Sequence, residues 1–286
     1  GTSALHVSCL LSGINSAHEV LIPAFTFVAS PNAVIYCNAS PHFVEIESQN
    51  FGIDFKKLRN YLKKISIKKN GELVNKKTKK IIKAIMIVHP IGYPVNYDEL
   101  TKFKKEYNLL VIEDAADALG SYFKGKHAGT YGKFGILSFN GNKIITTGTG
   151  GAILVQNKQL AVKAKKLVET SKVKHKFRFI HDKLGFNYRM SNLHAALGLS
   201  QIKRLKKILN SKKKLNKYYN QAFKNNNYFK LINETKNKNF NFWLQTIVIE
   251  EKYSNHVNSI LNDLYKNNIF LRQGWDLMPS LKYLKL

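Results

Sequence analysis

IIKAIMIVHPIGYPV (Ile81–Val95) and LLVIEDAADALGS (Leu109–Ser121) carry the reading of this chain. Each opens with an unbroken aliphatic run and closes on Pro, Gly or small residues, and between them Tyr97–Tyr107 has a helical period. Ile85-Met86-Ile87-Val88 and Leu109-Leu110-Val111-Ile112 are apolar on both faces, which suits strands covered by helices on either side. Working outward, shorter strand patterns occur at Glu19–Pro23, His42–Ile46, Gly135–Phe139 and Gly151–Val155. Helical patterns occupy Ala4–Ile14, Phe55–Ile65 and Leu160–Glu169. Strands alternating with helices define an α/β domain with a mostly parallel sheet. Further on, Leu193, Ala196, Leu199, Ile202, Leu205 and Leu209 form one stripe of a long helix, after which Lys212–Lys214 begin a Lys/Asn-rich region. Asn225–Asn241 is polar and loop-like, before a strand pattern at Phe242–Ile249 and a helical one at Tyr253–Lys266. The expected organisation is a large domain over residues 1–210 and a smaller α+β unit over 211–286.

Composition narrows the class. The 286 residues are 44% hydrophobic and 12% aromatic, too apolar for a disordered chain despite a formal charge of +28. Arg occurs only at 59, 178, 189, 204 and 272, so the excess is almost all Lys, accompanied by abundant Asn, Ile, Phe and Tyr. That pattern reads as AT-rich coding more than as a designed surface. Residues 1–50 contain neither Lys nor Arg, and in the helix-like stretch Lys56–Lys80 the lysines flank the apolar spacing Phe55, Leu58, Leu62, Ile65 as a solvated face. Nucleic-acid binding is therefore disfavoured, Arg being the better reader of phosphates and base edges. No apolar run reaches the ~18–20 residues of a membrane span, and no signal peptide opens the sequence. Cys9 and Cys37 read as buried thiols in a reducing compartment, giving a cytoplasmic expectation. The chain begins Gly1-Thr2-Ser3 without Met and ends in mid-pattern at Leu286, as a fragment would.

Several motifs lead nowhere. GSYFKGKH (Gly120–His127) is one residue short of a phosphate-binding loop and reads as a turn. Gly148-Thr149-Gly150-Gly151 is too short for a dinucleotide fingerprint, the nine His lack metal-ligand spacing, and no Gly-x-Ser-x-Gly elbow occurs. Three segments hold more chemistry. Val111–Ser121 delivers Glu113 and Asp114 at the carboxyl end of a buried strand, where open α/β sheets bind ligands; a helix N-cap by Asp114 accounts for the same residues equally well. SFNGNKIITTG (Ser138–Gly148) ends another strand around a lone Lys143 flanked by Asn142 and Ile144-Ile145. A desolvated lysine serves as nucleophile or Schiff-base former, although a surface lysine in a turn is the commoner occupant of such a position. GFNYRMSNLHAALG (Gly185–Gly198) places Asn187, Tyr188 and Arg189 before an apolar helix capped by Ser191 or Asn192.

In this order and spacing, the three segments resemble the DegT/DnrJ/EryC1/StrS family of sugar aminotransferases, which depend on pyridoxal 5'-phosphate. GTSALHV (Gly1–Val7), LIPAFTFVAS (Leu21–Ser30) and IVHPIGYP (Ile87–Pro94) extend the resemblance along essentially the whole chain. It implies a fold-type I, aspartate-aminotransferase-like large domain with an incomplete C-terminal domain, and a chain truncated at both termini. It implies Lys143 as the lysine joined to the cofactor aldehyde and Asp114 as the carboxylate facing the pyridine nitrogen. Phe27 is then expected against the cofactor ring, and Thr2, Ser3 and Ser138 on its phosphate. Asn187 resembles the residue that reaches a neighbouring subunit's cofactor phosphate, implying a homodimer with shared sites. Asp117 departs from the Gln or His of many members near the ring hydroxyl, which leaves its role open. Some relatives replace the lysine with His and become dehydratases; Lys143 favours transamination. Ser138–Gly148 together with Ser171–Met190 resembles the branch that aminates nucleotide-linked 4-keto-6-deoxy-hexosamines, with L-glutamate as donor, for surface-glycan amino sugars. Within it His175, His181, Asp182 and Tyr188 are substrate-contact candidates, with loop packing an equal account of the first three. Competing readings are a 3-keto-sugar member of the family, a cofactor-binding regulator without turnover, and a basic nucleic-acid-binding protein.

Overall fold

The computed structural model describes residues 1–284. Its α-helices are α1 (Thr2–Leu11), α2 (Ala29–Ile35), α3 (Phe55–Ile65), α4 (Tyr97–Tyr107), α5 (Lys158–Val168), α6 (Asn192–Lys203), α7 (Leu205–Ala222) and α8 (Val257–Lys266). The strands of the main sheet are β1 (His18–Pro23), β2 (Ser40–Val44), β3 (Ser66–Lys69), β4 (Glu72–Asn75), β5 (Ile81–Val88) and β6 (Leu110–Asp114), and, after the short hairpin β7 (Tyr122–Phe123) and β8 (Lys126–His127), β9 (Phe134–Ser138) and β10 (Gly151–Leu154). The main path runs β10-β9-β6-β5-β1-β2, parallel except where β10 returns antiparallel to β9. This is the mostly parallel α/β architecture that the alternating pattern predicts.

Strand alternation divides the core between two helical layers. Leu21, Ile85, Ile87 and Val111 pack with Phe55, Leu58 and Leu62 of α3 and Leu100 and Phe103 of α4. Val20, Ile22, Ala84, Met86 and Ile112 point the other way, onto Leu5 and Cys9 of α1 and Ala33 and Val34 of α2, with α5 completing that layer through Ala164 and Leu167 against Val7. The helices start where side chains offer caps: Asp54 accepts from the Lys57 N–H, Asn96 from Asp98 and Glu99, and Asn157 from Leu160. Cys9 and Cys37 are free and buried, as expected.

Four expectations give way. Lys56–Lys80 is helical only to Ile65; Ser66–Asn75 is a β-hairpin turning at Asn70 (φ 51°) and Gly71 (φ 80°), both left-handed, as a two-residue type I′ turn requires. The stripe from Leu193 to Leu209 is not one helix: α6 stops at Lys203 and α7 restarts at Leu205, so residue 210 falls inside an element. Of Phe242–Ile249 only β15 (Ile247–Ile249) is strand, paired with β13 (Phe229–Leu231). The loop-like Asn225–Asn241 holds that β13 and also β14 (Lys238–Asn239), which pairs with β7. Gly120–His127 does form a turn, the β7–β8 hairpin. A further antiparallel hairpin is formed by β11 (Lys172–Val173) and β12 (Ile180–His181).

Candidate active site

The parallel strands deliver their carboxyl ends to one side, where a cleft of about 2090 Å³ opens. Its floor comes from the segments after β1 (Phe25–Phe27), β5 (Ile91), β6 (Asp114, Asp117) and β9 (Ser138, Lys143), and from the start of α1.

Strand β6 separates its two terminal carboxylates, because consecutive side chains face opposite ways. Glu113 turns from the cleft into full burial and accepts five hydrogen bonds: from Tyr97 Oη (2.5 Å), the Gly129 N–H (3.0 Å), His89 Nε2 (3.1 Å), the Tyr131 N–H (2.5 Å) and the Gly132 N–H. Burial alone would raise this carboxyl, but the bonds from His89, Tyr97 and Gly132 outweigh it and hold the group below the usual carboxylate range. His89 Nδ1 accepts from the Val95 N–H (3.3 Å), so the ring serves Glu113 as a neutral Nε2–H donor. Glu113 thus ties the turn before β9 to the loop after β5. Asp114 reaches the cleft. Ser30 Oγ donates to its Oδ2 (2.6 Å) and the Ala116 N–H to its Oδ1 (3.1 Å), which fixes the carboxylate plane. Of the two sequence alternatives the ligand-facing position is present, whereas the helix N-cap is not: residues 115–121 form turns, and the bond from the Ala116 N–H closes an Asx-type turn.

Lys143 sits in a turn closed by its own N–H on the Asn140 carbonyl (3.0 Å). Its Nζ pairs with Asp117 Oδ1 and lies 4.2 Å from the centroid of a Trp243 ring. Trp243 Nε1 donates to the Asn142 carbonyl (2.6 Å), clamping the same turn. Only 14% of the Lys143 side chain and 6% of that of Asp117 are exposed, so the amine is not a surface lysine. Burial pushes the Asp117 carboxyl up to about 6; Lys143 pulls against this and Asp114 adds to it.

Thr2, Ser3 and Ser138 line the cleft at the N-terminus of α1, whose first-turn amides carry no side-chain cap. A Cβ on Gly1 would come 3.2 Å from Ser138 Oγ, and one on Gly151 2.7 Å from the Leu137 carbonyl oxygen and 2.8 Å from the Gly1 nitrogen, so glycine lets the start of α1 lie close against β9 and β10. Free helix N–H groups beside hydroxyls make an anion cradle. Phe27 borders the cleft, its ring 6.1 Å from that of Trp275. Asn187 and Tyr188 line it as well. His175, His181 and Asp182 do not: they lie on the β11–β12 hairpin, where His175 accepts the N–H groups of Phe177 and Arg178, His181 meets the Thr170 carbonyl and Asp182 pairs with Lys166. The sequence reading passed over Ser30, Trp243, and Asn241, whose Nδ2 donates to the Asp117 carbonyl (2.6 Å). Ser30 lies inside a segment already singled out, but nothing in its spacing points to Asp114, 84 residues away.

A buried amine, a cleft-facing carboxylate across from it and an anion cradle match the aldehyde, the ring nitrogen and the phosphate of pyridoxal phosphate. The sheet and its order of elements are those of a fold-type I aminotransferase. The chain belongs to the DegT/DnrJ/EryC1/StrS aminotransferase family, whose sequence profile matches residues 1–281, and is a pyridoxal-phosphate-dependent aminotransferase. It is 33% identical over 270 residues to GDP-perosamine synthase of Vibrio cholerae, covering 94% of this chain and 68% of that protein. It is 36% identical over 233 residues to UDP-4-amino-4,6-dideoxy-N-acetyl-beta-L-altrosamine transaminase of Campylobacter jejuni (81% and 58% covered). Among solved structures, Helicobacter pylori PseC, an aminotransferase involved in the biosynthesis of pseudoaminic acid, superposes with a TM-score of 0.87 at 25% identity, covering 99% of this chain and 73% of that one. No helix among the described residues is long and apolar enough to cross a membrane, and no group of three or more His, Cys, Asp or Glu among them suits a metal ion.

Proposed function

We propose that the protein moves an amino group from L-glutamate to the C4 ketone of a nucleotide-linked 4-keto-6-deoxy-hexosamine, in the making of surface-glycan amino sugars. The observation that carries it is the convergence of Lys143, Asp114 and the uncapped start of α1 on one cleft. Two relatives support the sugar. One is named as making GDP-perosamine, and the other's name carries an amine at C4 of a 6-deoxy sugar on UDP. The cleft, about 2090 Å³, is at least twice the volume of an ordinary small-molecule site, which suits a bulky nucleotide sugar beside a cofactor.

Bound here, pyridoxal phosphate would supply an electron sink for the pair left when a C–H bond next to nitrogen is broken. The α1 N-terminus, Thr2, Ser3 and Ser138 would hold its phosphate, and Phe27 would lie against its ring. Asp114, fixed by Ser30 and Ala116, would face the ring nitrogen. Lys143 would take the proton from the donor carbon and return one to the acceptor carbon, as general base and then acid. Overall a donor C–NH₂ and a sugar C=O become a keto acid and a sugar C–NH₂. Tyr188 at the rim is placed to touch substrate, whereas His175 and His181 would need another surface to act. We further propose a homodimer in the cytoplasm: α6 exposes Leu193 (85%), Leu199 (59%) and Ile202 (51%), an apolar face that a second copy would cover, and Asn187 lies in the segment leading into that helix. Division of the chain near residue 210 remains part of this reading, with the small unit supplying Asn241 and Trp243 to the site.

The test is borohydride reduction of the protein after incubation with pyridoxal phosphate, followed by peptide mass mapping, and amine transfer from L-glutamate to 4-keto and 3-keto nucleotide sugars. A phosphopyridoxyl adduct concentrated on Lys143 and turnover of the 4-keto sugar are expected. Label spread over many lysines, or preference for the 3-keto sugar, overturns the site or the substrate respectively.

A further inference from the structure

We propose that Asp117 is a positioning residue that anchors the Lys143 ammonium whenever that amine is not bonded to cofactor. This rests on the pyridoxal-phosphate reading of the site. A lysine that serves there is released during each half-reaction, and a freed side chain regains about 2 kcal/mol of rotamer entropy. In a cleft this large, something must keep its amine close to where it next acts. Asp114 is already engaged by Ser30 Oγ and the Ala116 N–H, whereas Asp117 holds the amine directly.

The surroundings immobilise Asp117 itself. Asn241 Nδ2 donates to its carbonyl oxygen (2.6 Å) and also to that of Leu119 (3.0 Å). On the other side the Ile91 backbone favours the charged carboxylate. Ile91 adopts φ 56°, ψ 19°, a left-handed conformation that is costly for a β-branched residue, and its neighbour Gly92 (φ 85°) has no room for a Cβ, which would lie 2.7 Å from the Asp117 carbonyl oxygen. Strain of this kind persists only where packing enforces it. The charged groups facing Asp117 are Lys143 from the turn after β9 and Asp114 from its own segment; Ile91, Asn241 and Trp243 add no charge. A neutral amide in this place would accept a hydrogen bond but would leave the ammonium in this buried setting without a counter-charge.

The experiment uses the full chain freed of cofactor, labelled with trace acetic anhydride at pH 8, with each lysine's rate read by peptide mass mapping against exposed Lys102. An opposite charge in contact favours the charged, unreactive amine. Asp117→Asn is therefore expected to raise the relative rate at Lys143 by about tenfold or more, and Asp117→Glu to restore a slow rate. The contrast between Asp117→Asn and wild type is expected to shrink as pH falls towards 6, where the carboxyl takes up its proton. Equal rates in wild type and Asp117→Asn at pH 8 overturn the proposal. If Asp117→Asn folds poorly, ¹⁵N NMR of the wild-type protein decides instead. A slowly exchanging Lys143 ammonium signal, assigned by its loss in Lys143→Arg, is the expected result, and its absence overturns the anchor. Borohydride mapping of the wild type tests the cofactor reading separately: an anchored Lys143 that never takes pyridoxal phosphate removes that reading while leaving the ion pair established.

Discussion

Replacing Glu113 with Gln removes one acceptor from the most heavily bonded carboxylate among the described residues. On one oxygen Glu113 holds Tyr97 Oη, His89 Nε2 and the Gly129 N–H; on the other it holds the N–H groups of Tyr131 and Gly132. An amide presents only one oxygen, so the better orientation strands two backbone N–H groups against an NH₂. The site is fully buried, so water does not replace the lost partner. Each stranded donor costs about 1–3 kcal/mol, and the remaining bonds lose their charge assistance. A loss of roughly 4 kcal/mol follows, and at about 2–4 °C per kcal/mol the Tm falls by about 8–16 °C. Urea unfolding followed by far-UV circular dichroism, with exposed Glu45→Gln as control, measures it. A Glu113→Gln variant within 1 kcal/mol of wild type would refute the claim that this carboxylate organises the turn before β9.

Ser30→Ala removes a 2.6 Å charge-assisted bond to Asp114 Oδ2, worth about 1.5–3 kcal/mol; kcat/KM for amine transfer is expected to fall at least tenfold while Tm shifts by only a few degrees, and an unchanged kcat/KM removes Ser30 from the site. Acid titration has two limbs of opposite sign. Asp117, raised to about 6 when folded, binds its proton earlier in the native than in the unfolded chain, so stability rises as pH falls from 7 towards 4. Glu19 and Glu113, both held below the usual range despite burial, contribute stability above their unfolded pKa that is lost as pH falls below about 4.5. Urea midpoints across pH 3–8 check both, with the upper limb absent in Asp117→Asn.

The layering of the fold is written locally in the chain. Ile85–Val88 and Leu109–Ile112 are apolar on both faces because helices cover both sides of the sheet, and that burial is a local, period-two signal. One helix start was equally legible, because a single residue caps its own first turn: Ser191 accepts from the His194 N–H at the start of α6. The Asn70-Gly71 hairpin was missed: Asn-Gly is a hairpin signal, but the Lys-rich stretch around it read as a solvated helix face. Lys143 stood out because apolar neighbours flank it, and family resemblance gave it a partner cofactor. Only tertiary structure decided which groups meet it. Asp117 lies 26 residues before Lys143, Trp243 one hundred residues after, and Ser30 lies 84 before Asp114. No spacing along one helix or strand encodes such contacts; they arise where separate crossovers bring strand ends and the chain beyond α7 to one cleft. The same holds for Glu113 and Asp114, adjacent in the chain yet sent by the pleat to opposite faces, one to brace the scaffold and one to line the site.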